Sequence, residues 1–233
     1  MNILIPMAGL GSRFPRELYP PKPLININGS TMIEHCIESL GLDGQYIFVI
    51  RLDENSEQIK SYISSKLKNA TVVEIMYLTE GPACTALVCK EMIDNDEELV
   101  IANCDQIMEW DAKLFLHNAR LYDGCIVTYH TDTIKNSYAK INKQGLVTEV
   151  KEKVVISNIG LNGIHYWKKG SYFVNNAEAM ISANERAGNN EFYVAPTYNY
   201  MIEQGLRVGI YHIPNQQHNA VGTPEDLEIY LKK

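Results

Sequence analysis

The sequence predicts an α/β protein: a doubly wound, mostly parallel, Rossmann-like sheet with helices on both faces and an inserted β-rich subregion. Three observations carry that reading. Short apolar runs alternate with helix-like segments through the first half of the 233 residues, as the crossover units of a parallel sheet require. Runs such as ILIP and YIFVI are apolar without alternation, which suits strands covered on both faces. After about Thr131 the rhythm breaks into shorter segments.

In order along the chain, Ile3–Pro6, Tyr46–Ile50, Thr71–Met76, Leu99–Ala102 and Cys125–Tyr129 are the strands expected in the first half. Thr31–Leu40, Ser56–Leu67, Pro82–Ile93 and Lys113–Tyr122 are the helices between them. Ser30 is the expected N-cap of the first helix, and Pro82 opens the third, where its missing N–H is harmless. Ala139–Ile141, Leu146–Glu149 and Ile164–Trp167 read as shorter, partly antiparallel strands that roof the sheet. Helices return at Ser171–Asn184, Pro196–Gln204 and Pro224–Leu231, with a strand at Arg207–Ile213. No Pro/Gly/Ser linker divides the chain, so residues 1–233 are expected to form one domain with halves 1–130 and 131–233.

The 28 acidic and 21 basic residues give a net charge of −7. No basic stripe offsets it, which disfavours nucleic acid or an anionic membrane as partner. Five cysteines (Cys36, Cys84, Cys89, Cys104, Cys125) are odd in number and lack C-x-x-C pairing. A reducing cytoplasm fits them better than a disulfide framework or a zinc site. The amino terminus lacks a basic region, and its apolar run is too short for a signal peptide or membrane span. The six histidines show neither triad nor ligand spacing.

The first strand runs into Ala8-Gly9-Leu10-Gly11-Ser12-Arg13-Phe14. Glycines at a strand end let backbone amides approach an anion closely, the requirement for cradling phosphates. This is not a P-loop, because no G-K-[ST] follows Gly11, and Phe14 stands where G-x-G-x-x-G needs its third glycine. Pro21-Lys22-Pro23-Leu24 comes next, and the flanking prolines predict an extended backbone that fixes where the Lys22 side chain starts. Arg13, for bidentate contact, and Lys22, as a point charge, make a polyphosphate clamp. Ile101-Ala102-Asn103-Cys104-Asp105-Gln106 puts an acid just past the carboxyl end of a strand, where parallel sheets bind ligands.

Together these residues, in the run GLGSRF…PPKPLININGSTMIEH, resemble the signature of the sugar nucleotidyltransferase (nucleotide-sugar pyrophosphorylase) family. Later motifs extend the resemblance over most of the chain. It implies that Ala8, Gly9, Gly11 and Ser12 bind the nucleotide. Glu80-Gly81-Pro82-Ala83-Cys84-Thr85-Ala86 is similar to the family's base and ribose segment, which assigns Glu80, Gly81, Cys84 and Thr85 to the nucleotide. Asp105 matches the aspartate that holds Mg2+, with Asn103 on the acceptor side. Glu149–Lys153 resembles the family's v-x-x-E-K-P segment, with Val154 in place of proline. By that match Lys153 grips the attacking phosphate and, with Arg13 and Lys22, completes the catalytic set, while Glu152 receives acceptor hydroxyls. Asn162-Gly163-Ile164-His165-Tyr166 is similar to the T-G-I/L-Y strand, with Asn162 replacing threonine, and Glu191 matches a second hydroxyl-binding position.

One departure stands out. Relatives carry a second metal-binding aspartate before a G-T pair near the carboxyl end, and here Ala220 occupies that place; Asp226 lies beyond the pair and is not a substitute for it. The expected activity is Mg2+-dependent condensation of a nucleoside triphosphate with a phosphorylated small-molecule acceptor, a sugar 1-phosphate, giving a nucleotide-diphospho-sugar and pyrophosphate. Other readings stay open: a cytidylyltransferase for a choline-like or amino-acid-like phosphate, or a degenerate, non-catalytic nucleotide-binding protein. A Rossmann dehydrogenase would use Asp53, but the missing third glycine and the added PKP segment oppose it. A homo-oligomer is compatible with all of these.

Overall fold

In the computed structural model, which describes residues 1–233, strand β1 (Asn2–Pro6) sends Ile3 and Ile5 to one face of the sheet and Leu4 to the other. All three are fully buried, as a doubly covered strand requires. A small hairpin, β2 (Asn26–Ile27) and β3 (Ser30–Thr31), leads into α1 (Met32–Leu40). Then follow β4 (Gln45–Arg51), α2 (Ser56–Lys66), β5 (Thr71–Ile75), α3 (Pro82–Leu87), α4 (Lys90–Ile93), β6 (Leu99–Ala102) and β7 (Gln106–Met108). The second half comprises α5 (Ala112–Ala119), β8 (Gly124–His130), β9 (Tyr138–Ile141), β10 (Val147–Lys151), β11 (Ile159–Trp167), α6 (Gly170–Ser182), α7 (Thr197–Glu203), β12 (Val208–His212), β13 (His218–Ala220) and α8 (Pro224–Leu231).

Strands β5, β4, β1 and β6 are parallel neighbours. Strand β11 runs antiparallel between β6 and β8, and β12 lies parallel beside β8. Helices α1, α2 and α5 cover one face, with Ile37, Ile63 and Phe115 on Phe48 and Val100. Helices α3, α4, α6 and α7 cover the other, with Ala86, Phe173 and Tyr198 on Ile47 and Trp167. The two cores hold 23 and 27 buried residues, so neither face is merely a backing, and the sheet is doubly wound. No helix is long and apolar enough to cross a membrane.

Several local expectations are corrected. The cap of α1 is Thr31, the last residue of the hairpin, whose hydroxyl accepts from the Glu34 amide at 3.3 Å; Ser30 lies one residue too early. The helix expected over Pro82–Ile93 breaks into α3 and α4, where Val88 and Cys89 bond three residues back; that tighter turn accompanies burial of both Cys89 and Ile93. Strand β11 starts at Ile159, five residues earlier than expected, and joins the main sheet instead of roofing it. The β9–β10 pair extends the same sheet, joined through Gly160 opposite Tyr138.

Candidate active site

The loop after β1 is pinned by Phe14, which is buried in a satellite core with Ile25, Ile27, Met32, Ile107, Val221 and Leu227. Its amide donates to the Gly11 carbonyl at 3.0 Å, while Gly9, Ser12 and Arg13 stay exposed and Ala8 is buried at the strand end. Lys22–Leu24 form a single 3-10 turn, with the Leu24 amide on the Pro21 carbonyl at 2.8 Å. This corrects the extended backbone expected at Lys22. The opening residues of a helical turn have no intrahelical use for their N–H groups, so Pro23 fits the turn while Leu24 enters the core.

From that turn Lys22 Nζ reaches Asp105 Oδ2 at 2.6 Å, and an Arg13 guanidinium nitrogen lies 3.5 Å from the same oxygen. Asp105 sits between β6 and β7, and its carbonyl accepts from the Val221 amide at 2.9 Å. Burial alone would raise its carboxyl, but the charges of Lys22 and then Arg13 outweigh that and hold it below the usual range. Ala220 is exposed on β13 opposite Gln106, next to Asp105, and offers only a methyl group. The Asp226 amide donates to Thr223 Oγ1 at 3.1 Å in the cap of α8.

The Glu80 segment is tied to residue 192 by two backbone bonds: the Phe192 amide to the Glu80 carbonyl at 2.8 Å, and the Ala83 amide to the Phe192 carbonyl at 3.0 Å. Glu80 is exposed and pairs with Arg186, whose guanidinium stacks 4.0 Å from the centroid of the Phe192 ring. Gly81 and Thr85 are buried, the Thr85 hydroxyl donating to the Gly81 carbonyl at 3.2 Å, and Cys84 is half-buried.

Across the sheet, the Asn103 amide donates to the Gly163 carbonyl at 3.2 Å. Gly163 has φ +92°, and a Cβ there would lie 2.2 Å from Asn103 Nδ2; only glycine fits. Asn162 is buried, its Nδ2 3.5 Å from Met108 Sδ and its Oδ1 accepting from the Ile164 amide at 3.0 Å. Glu152 accepts from the Ser137 hydroxyl; burial raises its carboxyl, with Glu191's negative charge adding to the rise. Lys153, at φ +53°, donates to Tyr193 Oη at 2.5 Å and sits 4.5 Å from the centroid of that ring. Asn189 Nδ2 bridges Glu191 Oε2 at 2.7 Å and Tyr193 Oη at 2.9 Å.

The expected residues thus fall into four groups: Arg13–Lys22–Asp105 at the glycine turn, Glu80 with its helix start, Asn103 with Asn162 and Gly163 across the sheet, and Glu152–Lys153–Glu191. No hydrogen bond or ion pair joins Lys153 to Asp105 or Lys22. Sequence reasoning missed Arg186, Asn189 and Ser137 and gave Tyr193 no role. A groove of ≈ 570 Å³ lined by Tyr19, Pro20, Leu24 and Ile25 on one side and α8 on the other contains none of the expected site residues.

Residues 5–228 match the profile of the nucleotidyl transferase family. The chain belongs to that family. The bifunctional protein GlmU of Alkaliphilus metalliredigens is 22% identical over 238 residues, covering 97% of this chain and 50% of GlmU, so the chain spans about half the length of that curated relative. The nucleoside-diphosphate-sugar pyrophosphorylase of Vibrio cholerae RC9 superposes with a TM-score of 0.87 at 23% identity, over 99% of this chain and 100% of its own. A UDP-glucose pyrophosphorylase complexed with UDP-glucose gives 0.75 at 15% identity, over 100% and 99%. At these identities the likeness establishes the nucleotidyl transferase fold.

Proposed function

We propose that the chain transfers a nucleotidyl group from a nucleoside triphosphate to a sugar 1-phosphate in the cytoplasm, releasing pyrophosphate. The observation that carries this reading is the pairing of Lys22 and Arg13 with Asp105 at the mouth of the glycine turn. An oxygen of the acceptor phosphate attacks the α-phosphorus. The new P–O bond forms as the bond to the β-phosphate's bridging oxygen breaks, and the electron pair leaves with pyrophosphate. A phosphate monoester is largely dianionic near neutrality, its second pKa being about 6, so no general base is needed. The chain's task is to align anions and offset their repulsion.

Lys22 and Arg13 turn from Asp105 to the triphosphate, the amides of Gly9 to Ser12 cradle it, and Lys153 leaves Tyr193 for the attacking phosphate. The residues fit a magnesium ion that arrives with the nucleotide: one carboxylate, Asp105, is an ordinary protein share for Mg2+ when phosphate oxygens and water complete the shell. Bound there, Mg2+ would neutralise charge on the triphosphate. Glu80, Thr85 and Cys84 face the base and ribose; Asn103, Gly163, Glu152 and Glu191 serve the acceptor, with Asn162 shaping the strand beneath it. The test is pyrophosphate release from each nucleoside triphosphate with Mg2+ and a panel of sugar 1-phosphates and non-sugar phosphates. Release from at least one pair is expected; silence across the panel would leave a non-catalytic nucleotide-binding protein.

A further inference from the structure

Resting on the transferase reading, we infer that Asn199 is a positioning residue for the acceptor: its side chain sets the end of β10, which Glu152 and Lys153 follow, against the segment that carries Glu191 and Tyr193. Strand β10 is the last strand of the main sheet and pairs only with β9. The β9–β10 pair meets β11 at a short junction, where Gly160 lies opposite Tyr138 and the Leu161 amide donates to the Ser137 carbonyl at 2.9 Å. That junction restrains β9 directly and β10 only through it. An edge strand points the N–H and C=O of alternate residues away from its one partner. Here both groups of Val150, which is fully buried, are met by one side chain. The Val150 amide donates to Asn199 Oδ1 at 2.8 Å, and Asn199 Nδ2 donates to the Val150 carbonyl at 2.9 Å. Apolar packing between α7 and β10 is non-directional; the two bonds fix where along the helix the strand sits.

Asn199 is itself held in place. It lies in the first turn of α7, where Thr197 Oγ1 donates to the Val194 carbonyl at 2.7 Å. The preceding Tyr198 is fully buried, its ring stacked on Trp167 at 4.8 Å and its hydroxyl donating to the Tyr166 carbonyl at 3.1 Å. A short primary amide offers an acceptor and a donor side by side, so it meets a strand edge as another strand would. The consequence falls on the residues next along. Glu152, braced by Ser137, and Lys153 come directly after β10, while Glu191 and Tyr193 come just before α7. One other hydrogen bond ties these two stretches, from Lys153 Nζ to Tyr193 Oη at 2.5 Å. On the proposed function it breaks when Lys153 turns to the attacking phosphate. The Asn199 pair is untouched by that step, so it keeps the two sides of the acceptor site in register while the lysine is engaged.

The experiment measures initial rates of pyrophosphate release with UTP, dTTP, CTP and GTP against glucose 1-phosphate, N-acetylglucosamine 1-phosphate and phosphocholine, and varies both members of the productive pair. Asn199→Leu keeps the side chain's bulk but removes both bonds. It should lower kcat/KM for the acceptor by about 10²-fold, the cost of a misplacement of about 1 Å, while KM for the nucleotide stays near the parent's. Asn199→Asp keeps the acceptor for the Val150 amide but sets a carboxylate against the Val150 carbonyl. Protonation restores a donor there, so this variant's kcat/KM, as a ratio to the parent's at each pH, should recover as pH falls. A variant that was merely less stable would show no such recovery, and if Asn199→Leu does not fold, the Asn199→Asp profile decides alone. Equal losses for nucleotide and acceptor, unchanged acceptor kinetics, or a ratio for Asn199→Asp that ignores pH would overturn the positioning role and leave the transferase reading standing. Release from no pair by the parent would overturn both.

Discussion

Replacing Lys22 by Gln should do two opposite things: destabilise the free protein and strengthen its grip on Mg2+. The Lys22–Asp105 contact is 2.6 Å, and the side chains are only 11% and 19% exposed. At an effective dielectric constant of about 20, two unit charges at that distance attract by about 6 kcal/mol. Desolvation of both ions takes back most of this, and Arg13, at 3.5 Å from the same oxygen, still offsets part of the orphaned charge. A net stability loss of about 2 kcal/mol follows, read as a lower denaturant midpoint near neutral pH. The sign with pH is fixed by the carboxylate. Asp105 is held below its ordinary value, so its stabilising contribution is present above the unfolded value and is lost as pH falls through the folded one. The Lys22→Gln protein should therefore lose less stability on acidification than the parent. The freed carboxylate becomes available to a cation, and each 1.4 kcal/mol of relieved competition is worth about tenfold in affinity. Calorimetry of Mg2+ with the nucleotide-free protein should show at least about tenfold tighter binding in Lys22→Gln, and none of that gain in the Lys22→Gln, Asp105→Asn double variant. Turnover should nevertheless fall by about 10²–10³, because on the proposed function the lysine also serves the triphosphate. Unchanged Mg2+ affinity in a folded Lys22→Gln protein would refute the competition between lysine and metal.

Two further outcomes follow from the fold around the site. Glu34 is held at about 2 by hydrogen bonds from Lys66 and then Tyr62, so its contribution is full above the ordinary value of 4.5 and fades as pH falls towards about 2. Tyr62→Phe should lower stability by about 1.5–3 kcal/mol near neutrality, and denaturant midpoints measured against pH should converge with the parent's at the acid end. Gly163→Ala must place a Cβ 2.2 Å from Asn103 Nδ2 at a φ of +92°. It should cost about 1–3 kcal/mol and raise KM for the acceptor more than for the nucleotide.

How much of this was legible in the sequence depended on how far apart the cooperating residues lie. The glycine turn, the PKP segment and Asp105 are each short contiguous signals, and the burial of Ile3, Leu4 and Ile5 on both faces of the sheet follows directly from an apolar run. The partners could not be read so directly. Lys22 meets Asp105 across 83 residues, Arg186 meets Glu80 across 106, and Lys153 meets Tyr193 across 40. Strands β7 and β13 were missed because three residues each, paired across 112 positions at Asn219 and Ile107, leave no periodicity to detect. Their pairing decides the site all the same, since it sets Ala220 beside Asp105. The departure at Ala220 and the Lys22–Asp105 pair then bear on one another. With Ala220 rather than a carboxylate on the neighbouring strand, Lys22 is the partner in contact that holds Asp105 charged, and on the proposed function the nucleotide would draw it away. On the proposed function, a site built this way would hold Mg2+ through the substrate rather than ahead of it, and would surrender the lysine to the phosphates only when they are there to receive it.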